Sequence, residues 1–238
     1  MKTLLINCLL AIIPGFLKRR IVNYAHSSSI LIFSQEGEDR LLERFIGQKS
    51  YGIYIDVGAH HPTFISNTYY FYLKGWRGIN IDAQPDSMKQ FNKIRPYDIN
   101  IEQPVSDLAG EFDFHIFNKP ELNTFDEKNV AEFLNYPDVK LIKKVKLHTV
   151  TLERILDDHL AKLGTTHIDF LNIDVEGYDL KVLKSNNWIK YSPQFVLTEN
   201  LFSTLKESFE SELTLYMNSV NYTMIAKTVN TVFFRRNE

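Results

Sequence analysis

Four acidic residues stand at the ends of short apolar segments and could together bind one ligand: Asp56, Asp82, Asp174 and Glu199. A carboxylate can accept hydrogen bonds from both hydroxyls of a ribose, and several carboxylates around one crevice favour a ligand with positive charge. Asp82 follows Gly58 by 24 residues, close to the roughly 20-residue interval at which dinucleotide folds place their ribose-binding acid. The alternative is that an acid ends each strand only because strand ends meet water.

Elements of a parallel sheet would bring these acids together. Residues 51–57 are β-branched and aromatic at alternate positions and lie between glycines, which is typical of a buried strand. Residues 78–85 repeat the pattern after a helix-like segment, and residues 167–177 form the most apolar strand of the chain. In an open α/β sheet, ligands bind beyond the carboxyl ends of the strands. We therefore predict an α/β fold with a nucleoside site within residues 51–85.

The loop after the first predicted strand limits the kind of ligand. Its sequence, GAHHP, has one glycine where a dinucleotide-binding loop uses three. A pyrophosphate lying close to this backbone is therefore disfavoured, whereas a nucleoside without phosphates would tolerate His60 and Pro62.

Composition indicates one domain of ordinary globular character. The chain has 238 residues, 44% of them hydrophobic, a net charge of −2 and a single cysteine, Cys8. No concentrated basic surface is predicted, which argues against a nucleic-acid partner, and a lone cysteine suits a reducing compartment. We assign residues 27–238 to one domain with an insert around residues 118–145. Phe125, Phe133 and Tyr136 of this insert are expected either to stack on a substrate or to pack the insert onto the domain.

The apolar and basic segment 1–26 has two interpretations. Residues 1–17 are strongly apolar, but they are too short to span a membrane and are interrupted at Pro14. They are expected to form either a helix packed on the domain or one lying on a membrane surface, with Lys18 to Arg20 facing anionic headgroups. The protein is accordingly expected in the cytoplasm, with contact to the inner face of a membrane through residues 1–20 as the second interpretation.

Five segments in this order resemble the FkbM-like family of S-adenosylmethionine-dependent methyltransferases: IDVGAHHP, NIDAQP, PVSDLAG, TLERIL and FLNIDVEGYDLKVLKS. The resemblance covers about residues 34–200. It implies a Rossmann-like class I methyltransferase fold, with a seven-stranded, mostly parallel sheet and an antiparallel C-terminal strand. This agrees with the hairpin predicted from the last two strand-like segments, YTMIAKT and TVFFRR.

The resemblance also assigns residues to an S-adenosylmethionine site. Asp56 and Gly58 would line the methionine end, Asp82 would bind the ribose, Ser106 and Asp107 would lie near the adenine, and Asp174 would face the sulfonium, with Gln35 and Ala59 as further cofactor contacts. The family's loop is close to DVGANxGxxS, but here His60 stands at the Asn position and Pro62 at the second Gly. This departure leaves open how the amino-acid end of the cofactor is held.

Catalysis by such an enzyme would need a base, because a hydroxyl is a poor nucleophile until its proton is removed. We assign His60, Asp174 and Glu176 as catalytic candidates, with His60 or Glu176 as the base and Asp174 as an orienting residue. His60 and His61 could instead hold a turn through backbone hydrogen bonds. A divalent metal bound by His60, Asp174 and Glu176 is a further alternative.

The predicted function is O-methylation of a hydroxyl on a sugar, glycan or secondary metabolite. One alternative is a nicotinamide oxidoreductase on a similar sheet. Its Tyr-x-x-x-Lys pattern occurs at Tyr70/Lys74 and at Tyr136/Lys140, but neither pair occupies the helix that such enzymes use, so we attribute both to chance, and the single-glycine loop also argues against this class. The other is a non-catalytic scaffold that keeps the cofactor fold at a membrane. The expected partner is a small-molecule or glycan acceptor.

Overall fold

Two β-sheets organise the computed structural model, which describes residues 31–201 and 204–238. The strands are β1 (Ile53–Val57), β2 (Arg77–Asp82), β3 (Ile99–Glu102), β4 (Gly110–Phe117), β5 (Leu141–Thr149), β6 (Phe170–Ile173), β7 (Phe195–Glu199), β8 (Tyr222–Lys227) and β9 (Thr231–Arg236). The prediction for segment 1–26 lies outside the described residues.

The larger sheet has seven strands in the order β3-β2-β1-β6-β7-β9-β8. The first five in that order are parallel to one another, whereas β9 runs antiparallel to both of its neighbours. The predicted fold, a mostly parallel seven-stranded sheet with an antiparallel C-terminal strand, is confirmed. Because β2, β1, β6 and β7 are consecutive and parallel, their carboxyl ends are adjacent.

Helices cover both faces of this sheet. The helices of the described residues are α1 (Glu38–Ile46), α2 (Tyr69–Leu73), α3 (Met88–Ile94), α4 (Glu127–Phe133), α5 (Leu152–His159), α6 (Asp179–Lys184), α7 (Leu205–Glu210) and α8 (Glu212–Ser219), with short 3₁₀ helices at Pro120–Leu122 and Leu160–Leu163. Of these, α4 packs against Phe117 of the smaller sheet. Within the two described ranges, no helix is long and apolar enough to cross a membrane.

Side chains of β1 alternate between two apolar cores, as the period of a strand requires. Ile53 and Ile55 pack with residues of α5, α6 and α8 on one face. Tyr54 packs on the other face with aromatic residues of α2 and with Trp76. All five residues of β1 are buried, which explains why this strand is apolar almost throughout and makes the single polar residue within it, Asp56, conspicuous.

The smaller sheet pairs β4 with β5 in antiparallel register, from Gly110 opposite Thr149 to Phe117 opposite Leu141. The alternating sequence EFDFHIF predicts a strand at residues 111–117. This prediction is confirmed by β4, but the strand lies in this separate sheet. Strand β5 was not predicted, because its side chains are mostly exposed and four of its nine residues are lysine or histidine. The sequence also predicts a helix over residues 127–136 of the insert, and α4 falls within it.

Two helix boundaries differ from the predictions for local reasons. The apolar spacing of residues 34–46 predicts a helix capped by Ser34. Helix α1 instead begins at Glu38 after Gly37, which has a φ of 91°, and the Ser34 hydroxyl accepts from the Gly37 N–H at 3.1 Å. The sequence also predicts one helix over residues 208–220. The structure has two helices there, because Ser211 has extended backbone and its side chain caps α8.

Candidate functional site

A cavity of about 460 Å³ opens at the carboxyl ends of the strands. Its wall includes Asp56 from β1, Asp82 from β2, Asn172 from β6 and Glu199 from β7, and residues 120–125 of the β4–β5 connection close another side. The volume lies within the range of roughly 300 to 1,000 Å³ that small-molecule sites occupy. The cavity therefore has both the size and the position of a ligand site in an α/β sheet.

Gly58 allows the ends of β1 and β6 to meet beneath this cavity. Its φ is +81°, and a Cβ at this position would lie 1.7 Å from the carbonyl oxygen of Asp174. The Gly58 N–H donates to the Ile81 carbonyl at 2.9 Å, and the Asp174 N–H donates to the Val57 carbonyl at 2.9 Å. The glycine at the start of the loop is thus required by strand packing, besides lining the cavity.

Asp82 is held rigidly at the end of β2. One carboxylate oxygen accepts from the His60 N–H at 2.8 Å and the other from the Gln84 N–H at 2.7 Å. Burial raises the pKa of Asp82, and the two N–H donors oppose that shift. Each oxygen keeps a second acceptor position, so the carboxylate remains able to accept from two neighbouring hydroxyls. This arrangement fits the predicted contact with a ribose.

Asp56 is directed into the protein interior. Its carboxylate accepts from the Thr68 hydroxyl at 2.6 Å and from Asn172 Nδ2 at 2.9 Å, and its side chain is buried. Burial raises the pKa of Asp56, against these hydrogen bonds and the charge of Arg95. Asp56 therefore borders the cavity with its oxygens already engaged by protein groups.

The two adjacent histidines have different surroundings. His61 Nδ1 accepts from the N–H groups of Thr63 at 3.2 Å and Phe64 at 3.1 Å, and burial lowers its pKa. A neutral His61 thus holds the turn, as the second interpretation of the pair proposed. His60 has a φ of 51°, is exposed and lines the cavity, which leaves it as the histidine that a substrate can reach.

Three carboxylates converge at the ends of β6 and β7. Asp174, Glu176 and Glu199 each offer an oxygen within 4.8 Å of the others. Desolvation by the surrounding protein raises the pKa of all three, that of Asp174 to about 7, and the negative charge of the nearby Asp179 raises each of them further. The charge of Asp174 adds to the shifts of Glu176 and Glu199. Asp174 is nevertheless open to the cavity. We call these residues the acid cluster. A cation placed there would stabilise their ionised forms.

Oxygen donors of this kind also suit a divalent metal. The metal-ligand set suggested by the sequence was His60, Asp174 and Glu176, whereas the described part of the chain groups Glu199, and not His60, with the two acids.

The β4–β5 connection holds Glu176 in place. Glu176 has a φ of 52°, in the left-handed region that ordinary residues rarely adopt. Its carbonyl oxygen accepts from Thr124 Oγ1 at 2.9 Å and from Asn129 Nδ2 at 2.7 Å. A Cβ on Gly177 would lie 2.4 Å from that Asn129 nitrogen. We call these contacts the Glu176 clamp.

The aromatic residues of the insert pack against neighbouring rings, and most of them also line the cavity. Phe133 is buried and contacts Phe117 with ring centroids 5.9 Å apart. Phe125 lies between Phe114 and Tyr178, at 4.6 and 5.6 Å. All of these but Phe117 line the cavity, as does Tyr136, which is 40% exposed. Tyr136 and Phe125 are thus the aromatic side chains of the insert best placed to touch a ligand.

Most of the residues predicted to form the site line this cavity. They are Gln35, Asp56, Gly58, Ala59, His60, Asp82, Asp174 and Glu176. Ser106 and Asp107 do not: Ser106 is buried and donates to Asp107 Oδ1 at 3.1 Å, while the nearby Gln103 and Val105 form the wall instead. The short loop after β3 turns these two side chains away from the cavity.

Several lining residues were missed by the sequence predictions, among them Asn67, Gln84, Asn123 and Asn172. Local sequence indicates that Ser66-Asn67-Thr68 caps the helix that follows, which by itself gives Asn67 no role in a site. Asn172 occupies a single polar position inside an apolar strand, which is the one signal that could have drawn attention to it.

The tyrosine–lysine pairs do not form an oxidoreductase site. Tyr70 and Lys74 both hydrogen-bond to Glu43, and neither lines the cavity. Tyr136 lines it, whereas Lys140 does not.

Comparison with known proteins gives one family. The family model described as the methyltransferase FkbM domain matches residues 56–224. No functionally curated protein matches the chain.

The chain is also similar to three solved structures. The first is a TehB-like SAM-dependent methyltransferase from Corynebacterium glutamicum, at 9% identity over 93% of this chain and 96% of that one, with a TM-score of 0.42. The second is the 1,6-didemethyltoxoflavin-N1-methyltransferase of Burkholderia thailandensis with bound S-adenosylhomocysteine, at 12% identity over 84% and 77%, with a TM-score of 0.44. The third is a methyltransferase from Geobacter sulfurreducens, at 11% identity over 97% and 93%, with a TM-score of 0.40. Similarity at this level identifies no substrate.

Proposed function

Since the chain belongs to the FkbM methyltransferase family, we propose that it methylates a hydroxyl group of a sugar, glycan or secondary metabolite, with S-adenosylmethionine as the donor. The observation that carries the proposal is one cavity that joins Asp82, able to accept from two hydroxyls, to the acid cluster. A nucleoside with a positively charged sulfur has groups that match both ends.

The residues of the cavity would hold the donor at its two distinctive groups. Asp82 would accept from the ribose hydroxyls, and the acid cluster would favour the positive charge. S-adenosylmethionine supplies a methyl group bonded to that charged sulfur. Direct transfer requires the acceptor oxygen to be aligned with it and water to be excluded, and both requirements are positional.

His60 and Glu176 are the groups that could remove the acceptor proton. Both line the cavity, and the clamp holds the backbone carbonyl of Glu176 in place. Burial and neighbouring acids raise the pKa of Glu176, which makes it a stronger base once ionised. Positive charge bound beside it would favour that ionised form, and Asp174 would then orient the substrate.

The β4–β5 connection would cover the acceptor. Leu122, Phe125 and Tyr136 line the cavity from this connection, and long segments over a crevice commonly determine specificity. The acceptor would thus enter between the connection and the loop that carries His60.

Isothermal titration with S-adenosylhomocysteine tests donor binding directly. The full chain should bind it, NAD should not bind, and Asp82→Ala should weaken S-adenosylhomocysteine by tenfold or more because a charged hydrogen-bond acceptor is lost. Asp113→Asn, at an exposed ion pair with Lys144, is the matched control and should leave the affinity unchanged. Binding of NAD alone would support the oxidoreductase, and binding of neither would support the scaffold.

The acceptor can be sought by mass spectrometry. Incubation of the enzyme and S-adenosylmethionine with sugars and nucleotide sugars should give a product heavier by one methylene. His60→Ala, Glu176→Gln and Asp174→Asn are then assayed on that product, and full activity in all three would refute the catalytic assignment.

A further inference from the structure

A continuous chain of hydrogen bonds runs from a buried arginine to the cavity wall. Arg95 is fully buried and donates from Nη1 to Thr68 Oγ1 at 3.1 Å. Thr68 Oγ1 donates to one oxygen of Asp56 at 2.6 Å, and Asn172 Nδ2 donates to the other at 2.9 Å. Asn67 Nδ2 donates in turn to Asn172 Oδ1 at 2.9 Å. We call this series the Arg95 relay.

The arginine sets the direction of every bond in the Arg95 relay. A guanidinium has only donors, so Thr68 accepts from it and has its one hydrogen left for Asp56. Asp56 accepts at both oxygens, which requires Asn172 to turn its NH₂ group toward the carboxylate and its oxygen toward Asn67. Asn67 must then donate its own NH₂ group. The orientation of both amides thus follows from the chemistry of the relay.

This leaves the carbonyl oxygen of Asn67 as the end of the relay. No residue within 31–201 or 204–238 donates a hydrogen bond to Asn67 Oδ1, and Asn67 lines the cavity. An amide oxygen only accepts. A ligand group at this position must therefore be a donor, and a carboxylate is excluded.

The position of Asn67 relative to the strands indicates which part of the donor would reach its carbonyl oxygen. Asp82 ends β2, whereas Asn67 follows β1 and hydrogen-bonds to Asn172 of β6. With a ribose on Asp82 and the sulfonium near the acid cluster, the donor would cross the end of β1 toward β6. The loop after β1 holds His60 and Pro62 where the family's Asn and second Gly stand, so another contact is needed at this end.

We propose that Asn67 Oδ1 binds the ammonium group of the amino-acid end of S-adenosylmethionine, oriented for this contact by the Arg95 relay; the inference rests on the proposed function. Asn67 is then a specificity residue for donors that carry an α-amino group. Asp56 serves this site as a positioning residue, through Asn172, and makes no contact of its own with the ligand.

Titration of two related ligands separates this contact from general binding. S-adenosylhomocysteine carries the ammonium group, whereas 5′-methylthioadenosine keeps the nucleoside and sulfur and lacks the amino-acid end. Asn67→Ala should weaken S-adenosylhomocysteine about tenfold or more, as expected for a hydrogen bond to a charged group. Its affinity for 5′-methylthioadenosine should stay unchanged. Asn135→Ala, at an exposed amide that bonds within its own helix region, should change neither affinity.

The outcomes distinguish the two proposals. If the unmodified chain binds neither ligand, the proposed function fails. If it binds both, and Asn67→Ala weakens both equally or neither, the assignment of Asn67 is wrong. Should Asn67→Ala fail to fold, Asn67→Ser is used, and the unmodified chain is titrated with the deaminated analogue of S-adenosylhomocysteine. Equal affinity for the analogue and its parent would overturn the ammonium contact.

Discussion

Gly58 and Gly164 illustrate two different reasons for a glycine with positive φ. Gly58 has a φ of +81° and no room for a side chain, because the carbonyl oxygen of Asp174 would lie 1.7 Å from a Cβ. Gly164 has a φ of +74° with nothing within 4 Å of that position. A substitution at either glycine therefore strains the backbone, and a substitution at Gly58 also creates steric overlap.

Gly58→Ala should destabilise the protein far more than Gly164→Ala. The left-handed conformation costs an alanine roughly 1 to 2 kcal/mol at either position, and forced repacking at Gly58 adds about 1 to 3 kcal/mol. Urea denaturation followed by circular dichroism gives both free energies of unfolding. An equal decrease in the free energy of unfolding for the two variants would show that β1 and β6 can separate without a loss of stability.

The connection between β4 and β5 supports a neighbouring turn as well as covering the cavity. Thr124 and Asn129 bond to the carbonyl of Glu176 and so maintain a backbone conformation that the turn would not keep unaided. A separate hydrogen bond, from Asn123 Nδ2 to Gln84 Oε1 at 2.7 Å, ties the same connection to the loop after β2. The small sheet thus positions side chains that the large sheet carries.

Asn129→Ala should loosen the turn at residues 174–178. Removing one hydrogen bond of about 1 kcal/mol should speed amide hydrogen exchange there by roughly fivefold, while exchange in β1 stays unchanged. Mass spectrometry of exchanged peptides gives the measurement. Asn135→Ala, in the same insert but with its side chain on the Ala131 carbonyl, is the control. Unchanged exchange in Asn129→Ala would mean that Thr124 alone holds the Glu176 carbonyl.

The stability of the whole molecule is linked to pH through the acid cluster. Desolvation by the surrounding protein and the charge of Asp179 raise the pKa of Asp174 to about 7 and raise those of Glu176 and Glu199. In the unfolded chain these groups lose their protons near their ordinary values of 3.8 and 4.5. Between those values and the raised ones the folded state binds more protons, so stability falls as pH rises.

Thermal unfolding should therefore occur at lower temperature at pH 8 than at pH 5.5, and Glu199→Gln should reduce the difference. This variant removes one acid of the cluster and should stabilise the ligand-free protein at pH 8 by about 1 kcal/mol or more. Scanning calorimetry between pH 5.5 and pH 8 gives the unfolding temperature of each variant as a function of pH. Glu212→Gln, at an exposed pair with Lys184, should leave the change of unfolding temperature with pH as it is in the unmodified protein. If Glu199→Gln also leaves that change unaltered, the linkage to the acid cluster is wrong.

Local patterns in the chain were enough to predict the central sheet and its family. Buried parallel strands are continuously apolar, so 51–57, 78–85 and 167–177 could be identified one at a time, and the family match over residues 56–224 confirms the resemblance drawn from their motifs. The exposed strand β5 carries no such pattern. It was missed because its pairing with β4 is decided by a partner about thirty residues away.

The order of residues determined which acids end the strands, because strand length and polarity are properties of neighbouring residues. Only the folded sheet decided which of them act together. Placing β6 and β7 side by side joined Glu199 to Asp174 and Glu176. The tertiary fold likewise brought Thr68, just before α2, and Arg95, just after α3, to Asp56 and so formed the Arg95 relay. Contacts between residues distant in the chain depend on topology and packing, and these are the contacts that form the site.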